Sequence, residues 1–220
     1  CHLRTKDGKQ LSLFASFFRV AVKEETTGNL NYTHSVIWSL SDKTEQKYYR
    51  DALVDPTTPA QVLKAIKKNE EKNEGSRWIR RALKEVYEKG NTPLPDRLLK
   101  QPANIGTNNL SLEYDENSFK KDEHGNYHLK LENPLNEIVC KLSFTPITKT
   151  IRHRNDGVVS GIRKEEMFYY FIPKCEVSGE IQIGNTVYEV EGSGWYDHEF
   201  SRPADETSTF EFKHEMDWNW

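Results

Sequence analysis

Residues 191–200, EGSGWYDHEF, place Trp195, Tyr196, Asp197, His198 and Glu199 in a row behind a Gly-Ser-Gly triplet. Two carboxylates flank a histidine and aromatic rings precede them, a set able to hold or move a proton beside faces that tolerate positive charge. In an extended strand side chains alternate, so Trp195, Asp197 and Glu199 share one face while Tyr196, His198 and Phe200 share the other. Running the alternation back through Tyr188 and Val190 favours Tyr196 and His198 as the inward pair. A bulge at Gly192-Ser193-Gly194 would reverse the register and turn Asp197 inward instead. Burial in an apolar cavity disfavours a charged carboxylate, so an inward Asp197 is a candidate general acid for protonating a carbon–carbon double bond. His198 and Glu199 would then hold its protonation state or position water. Trp195 and Tyr196, or Tyr169 and Phe171 in the aromatic run 167–171 (MFYYF), would shield the cation. The alternative is that Asp197, His198 and Glu199 form a structural hydrogen-bond cluster closing one end of a barrel.

Other chemistries fit less well. His-Glu recurs at His198-Glu199 and His214-Glu215, but neighbours on a strand face opposite ways and no H-E-x-x-H is present, so no metal is expected. Ser193 lacks the G-x-S-x-G spacing of a nucleophile elbow. Cys1, Cys140 and Cys175 are odd in number and show no C-x-x-C spacing, which points to reduced thiols. Cys175 would serve as a nucleophile only through tertiary placement beside His198 or His153. Arg19 in SFFRV and His34 in YTHSV interrupt apolar strands, and with Phe18 and Trp38 beside them they are candidate pocket walls. For Arg19 the alternative is a structural salt bridge, and for His34 a satisfied core histidine.

These groups need a scaffold. The 220 residues carry a net charge of -3, with 30% charged residues and a mean hydropathy of -0.81. No apolar run spans a bilayer, so no membrane insertion is expected. Lysine and arginine are interspersed with acids, which argues against a nucleic-acid partner. Strand patterns read at 11–22, 32–40, 110–114, 127–131, 138–144, 167–172, 177–183, 186–191, 194–200 and 208–216. A capping box with proline at Thr58-Pro59-Ala60-Gln61 starts one helix, and Ile79, Ala82, Leu83, Val86 and Tyr87 mark a second, stopped at Gly90-Asn91. The expected architecture is mainly β: one antiparallel barrel domain over 1–220 with a helical insertion at about 56–100.

GSGWYDHEF resembles the signature of the hydroxyneurosporene synthase family, also called the AttH-like or carotenoid hydratase-like, lipocalin-related family. HLRTKDGKQLSLFASFFR (2–19) is similar to the family's opening strand pair, YTHSVIWSLSD (32–42) to the strand that follows, and FYYFIPKCEVSGEIQI (168–183) to the pair before the signature. The resemblance implies a lipocalin-like (calycin) barrel, the first of two, with the second in the same chain or another. It implies chemistry without metal or organic cofactor on a hydrophobic, unsaturated substrate, with the acid site at Tyr196 and Asp197. The family's hydratases carry a His and a Trp in the preceding strand, where this chain has Tyr169-Tyr170-Phe171, a departure that keeps the pocket aromatic. The expected function is acid-catalysed hydration, cyclisation or isomerisation of an isoprenoid or polyene, the alternative being a non-catalytic carrier of a hydrophobic small molecule. The chain opens on Cys1 with no leader pattern, so localisation stays open, with the cytoplasm slightly favoured and secretion expected if a leader precedes it.

Overall fold

The structure, a computed structural model, describes residues 1–23, 30–58, 97–154, 156–160, 166–201 and 216–219. In chain order the strands are β1 (His2–Thr5), β2 (Gln10–Lys23), β3 (Leu30–Asp42), β4 (Lys47–Val54), β5 (Arg97–Leu98), β6 (Asn104–Ile105), β7 (Ser111–Tyr114) and β8 (Asn117–Lys121). They continue as β9 (Tyr127–Asn133), β10 (Ile138–Pro146), β11 (Ile151–Arg152), β12 (Val158–Ser160), β13 (Glu166–Ile183), β14 (Thr186–Ser201) and β15 (Met216–Asn219). All fifteen join one sheet, whose main path runs β5-β4-β3-β2-β1-β14-β13-β10-β9-β8-β7-β6. Every pairing is antiparallel except the short parallel contact of β4 with β5. The helical insertion expected at about 56–100 falls mostly on 59–96, and the strand expected at 208–216 falls, but for Met216, on 202–215; residues 59–96 and 202–215 lie outside the described residues.

Period-two burial explains the curl. In β9 the side chains of Tyr127, Leu129 and Leu131 are buried while those between them are not, and β10 buries Ile138, Cys140, Leu142 and Phe144 in the same rhythm. From β2 and β3 come Leu11, Leu13 and Phe17 beside Val36, Trp38 and Leu40. Each large side chain buried in this way contributes about 1.5–3 kcal/mol, which one concave face can collect only if the sheet bends round it. Polar ties hold the bend: Tyr114 Oη donates to Phe18 O at 3.0 Å, joining β7 to β2. The barrel is therefore a curled half-barrel with ends at β5 and β6 rather than a continuous closed ladder. No helix among the described residues is long and apolar enough to cross a membrane, which says nothing of strands.

A buried ion pair ties one edge strand to the sheet. Asp51, whose side chain is fully buried, accepts from Arg97 Nη2 at 2.7 Å and from Arg97 Nε at 3.2 Å. The same Nη2 donates to Glu132 O at 2.9 Å, so one guanidinium joins β4, β5 and β9. Removing Arg97 leaves a buried carboxylate without its partner, which costs about 3–5 kcal/mol. Arg97→Ala is thus expected to lower the urea midpoint steeply with little change in slope, and Arg97→Ala combined with Asp51→Ala to recover part of the loss.

Candidate active site

The site is assembled by the pairing of β13 with β14. These strands run together for most of their length, with one register shift between Ile172 and Cys175. The extra residue lies on β13, at Pro173-Lys174, rather than at Gly192-Ser193-Gly194 of β14. Alternation in β14 is therefore unbroken, and Val190, Gly194 and Tyr196 are buried on the core side. His198 follows them inward, while Trp195, Asp197 and Glu199 stand on the opposite face. The glycines clear space: a Cβ on Gly192 would lie 2.0 Å from His2 O, and one on Gly194 would lie 2.8 Å from Cys1 Cβ and 3.0 Å from the Phe144 ring. They are small because β1 and Phe144 press against them: the register favoured by the alternation, with Tyr196 and His198 inward, is the one found, and the alternative of a bulge at Gly192-Ser193-Gly194 is not.

Facing away from the core does not leave Asp197 in open solvent. Tyr169 Oη donates to Asp197 Oδ1 at 2.6 Å, a short hydrogen bond between hydroxyl and carboxyl group. Phe171, the direct cross-strand partner of Asp197, stacks on Tyr169 with ring centroids 5.7 Å apart. Burial pushes the Tyr169 phenol well above its usual range, and the hydrogen bond to Asp197 with the charges of Asp197 and Glu199 pushes it further. Tyr169 is consequently a neutral donor at any working pH. Among the described residues this is the one side-chain hydrogen bond that Asp197 receives.

β1 and β15 occupy successive stretches of one seam between β2 and β14. β1 pairs with residues 10–12 and 190–193, and β15 pairs with 17–20 and 198–200. A cavity of about 440 Å³ opens at the seam between them. Its outer rim carries His2, Ser12, Phe14, Trp195 and Asp197, and its depth is walled by Phe17, Phe119, Tyr127, Leu129, Phe144 and Tyr196. The aromatic wall is continuous: Tyr196 lies 4.7 Å from Tyr127 and 5.5 Å from Phe119, centroid to centroid. Trp195 is half exposed at the rim, its ring 6.3 Å from that of His2.

The other expected residues disperse. His198 is on the inner face, its Nδ1 2.9 Å from Tyr170 Oη. His34 is also inward, with Nδ1 3.3 Å from Asp55 Oδ2, and Arg19 stacks over Tyr32 at 3.6 Å. Trp38 is fully buried core, and Phe18 enters through its carbonyl, which accepts from Tyr114. None of these five lines the cavity. Cys175 is fully buried with its thiol pushed up by burial, and burial pushes Cys140 up to about 12, which makes both inert. Among the described residues no group of His, Cys, Asp and Glu could hold a metal. Sequence reasoning missed Phe14, Phe119, Tyr127 and Phe144; for Tyr127 and Phe144 the signal was present in the alternation of β9 and β10.

Comparisons with known proteins agree with this architecture. The model of the AttH-like family matches residues 93–214, more than half of the chain. The chain is similar to the crystal structure of a candidate AttH from Nitrosomonas europaea, with 18% identity, a TM-score of 0.59 and coverage of 94% of this chain and 50% of that one. It is also similar, at 9% identity, to kievitone hydratase from Nectria haematococca, with 86% of this chain and 48% of that chain covered and a TM-score of 0.48, too low to carry an argument. The chain thus spans about half the length of the solved structures it matches. No curated protein matches it.

The Tyr169 contact has a direct readout. In Asp197→Ala the hydrogen bond and one negative charge are gone while burial remains, so the phenol should ionise at lower pH than in the parent protein, though still above an unperturbed tyrosine. A spectrophotometric tyrosinate titration of parent and variant measures the difference.

Proposed function

The chain belongs to the AttH-like family, and on that premise we propose that it is a hydratase-type enzyme that protonates a carbon–carbon double bond of an apolar small molecule, with Asp197 as the acid. The carrying observation is that Asp197, bonded to the neutral Tyr169 phenol, lines a cavity whose depth is aromatic and aliphatic. A volume of about 440 Å³ falls within the span of small-ligand pockets, roughly 300–1,000 Å³. An unsaturated chain would lie along Phe17, Phe119 and Phe144 with its reacting end at the rim.

In the proposed step Asp197 Oδ2 gives its proton to one alkene carbon, the π pair forming the new C–H bond and leaving a cation on the other carbon. Tyr169 keeps its hydrogen on Oδ1 and so supports the carboxylate just formed. Trp195 and Phe14 at the rim face the cation without trapping it. Water entering from the rim past Ser12 adds to the cation and returns a proton to Asp197, which gives hydration; with water excluded, loss of a neighbouring C–H proton to the Asp197 carboxylate gives isomerisation, and attack of a second double bond on the cation followed by the same proton loss gives cyclisation. His198 and Glu199 take no direct part: His198 braces Tyr196 from the inner face, and Glu199 acts through its charge on Tyr169. A second barrel, in this chain or another, is the proposed partner covering the rim.

Incubation with an apolar extract in heavy water, followed by product mass, tests the reading. Gain of the elements of heavy water marks hydration, and carbon-bound deuterium alone marks cyclisation or isomerisation. Asp197→Asn should lower kcat by about 10² or more with ligand retention unchanged. Tyr169→Phe should lower kcat by roughly tenfold, with KM within about twofold, because one donor to the developing carboxylate is lost. Retention of a compound with no mass change, unaffected by Asp197→Asn, would instead establish the carrier.

A further inference from the structure

A second constellation lies on the outer face of β8, β9 and β10. Asp122, in the turn between β8 and β9, accepts from the backbone N–H of His124 at 2.9 Å and of Asn126 at 2.8 Å, and from Asn126 Nδ2 at 3.2 Å. Its Oδ2 is 2.9 Å from His128 Nε2, and His128 Nδ1 is 3.1 Å from Ser143 Oγ. The placement follows from register: Ser143 and His128 are direct cross-strand partners, so both side chains leave the sheet on one face at neighbouring positions.

The proton positions follow from the chemistry of the groups. The His128 hydrogen bond and the Asn126 and His124 donors hold the Asp122 carboxyl well below its usual range, against a smaller opposing effect of burial. An ionised carboxylate only accepts, so His128 Nε2 carries the hydrogen that points at Asp122. In the tautomer with its hydrogen on Nε2 the ring presents the Nδ1 lone pair to Ser143, whose hydroxyl donates. A hydroxyl bonded to a base, itself oriented by an acid, is the arrangement that activates a serine nucleophile. Here the two ring nitrogens exchange their usual partners, which leaves the proton path intact.

We propose that Asp122, His128 and Ser143 form a second reactive centre that takes acyl groups from small activated esters onto Ser143 Oγ. Ser143 Oγ attacks the ester carbonyl carbon while its proton passes to His128 Nδ1. The bond from carbon to the leaving oxygen breaks, and the leaving group takes that proton. Water then attacks the acyl carbon, and its proton returns through Nδ1 to Ser143 as the acid departs. Ser143 sits within ladders to β9 and β13 that engage the surrounding backbone, so no loop of free N–H groups surrounds it. Lys141 and Lys130, cross-strand partners one same-face position away, put positive charge on this face instead, that of Lys130 shared with Glu132 Oε2 at 3.2 Å. Weak oxyanion support restricts the centre to esters with good leaving groups and makes deacylation the slow step.

p-Nitrophenyl acetate is the probe. The expected result is a burst of nitrophenolate close to one equivalent, followed by slow turnover, with acetate located on the Ser143 peptide by mass spectrometry. Ser143→Ala and His128→Gln should each reduce the burst at least about tenfold, and both positions face solvent, so circular dichroism should match the parent. A burst that survives either substitution, or acetylation found only on lysines, overturns the proposal. This centre shares no residue with the Asp197 cavity, so its outcome is independent of that reading.

Discussion

The single extra residue on β13 between Ile172 and Cys175 decides what the rest of the molecule can present. On the hairpin side of the shift, Cys175, Val177 and Ile181 turn inward to meet Val190 and Gly194. Beyond it the phase changes, Ile172 takes the inward position opposite Tyr196, and Tyr169 and Phe171 fall on the same face as Asp197 and Glu199. Without the shift Asp197 would sit opposite Ile172, and either an isoleucine would leave the core or the aspartate would enter it. Proline suits the position, since it has no N–H to lose from a disrupted ladder. The bulge thus lets one pair of long strands be core at one end and carry Asp197, Tyr169 and Phe171 on the outer face at the other.

Much of this was legible in residues, and what was not has specific causes. The alternation of LSLFASFF and YTHSVIWSL led directly to β2 and β3. The breaks expected near Pro173 and at Gly192-Ser193-Gly194 do not exist, because β13 and β14 each run straight through them. Proline and glycine punctuate when the backbone must turn; here one marks a bulge and the others mark a close approach, and the residue types alone do not separate these cases. β4 (KYYRDALV) escaped because its inward positions include Asp51, whose burial depends on Arg97 arriving from 46 residues away. β8 escaped for a similar reason, Phe119 being the single large apolar side chain in NSFKK.

At the candidate site the sequence identified the right segment and the right alternation, with Tyr196 and His198 inward as the unbulged register requires. It did not show that the outward face would be the one bearing Asp197 to a cavity, because that cavity is a property of the seam. β1 and β15 come from opposite ends of the described chain and share the space between β2 and β14, and the opening between them is visible only once both are docked. For the same reason Arg19 and His34 were grouped with the site although they face a different part of the interior. Polarity within an apolar strand signals a buried requirement, and for His34 the requirement is Asp55.

The two aspartates to which roles are proposed, Asp122 and Asp197, are set apart by their donors. Asp122 receives two backbone N–H groups, one amide and an imidazole, and it lies half-buried in the turn between β8 and β9. So many donors hold the negative charge in place, which suits a group that orients a base and never exchanges its own proton. Asp197 has one neutral phenol as its side-chain partner among the described residues, and it borders an aromatic cavity. That phenol engages one carboxylate oxygen, Oδ1, whereas the donors to Asp122 engage both of its oxygens. The difference lies in the hydrogen-bond inventory around identical side chains, and it is the ground on which the two proposals give them opposite roles on the same sheet.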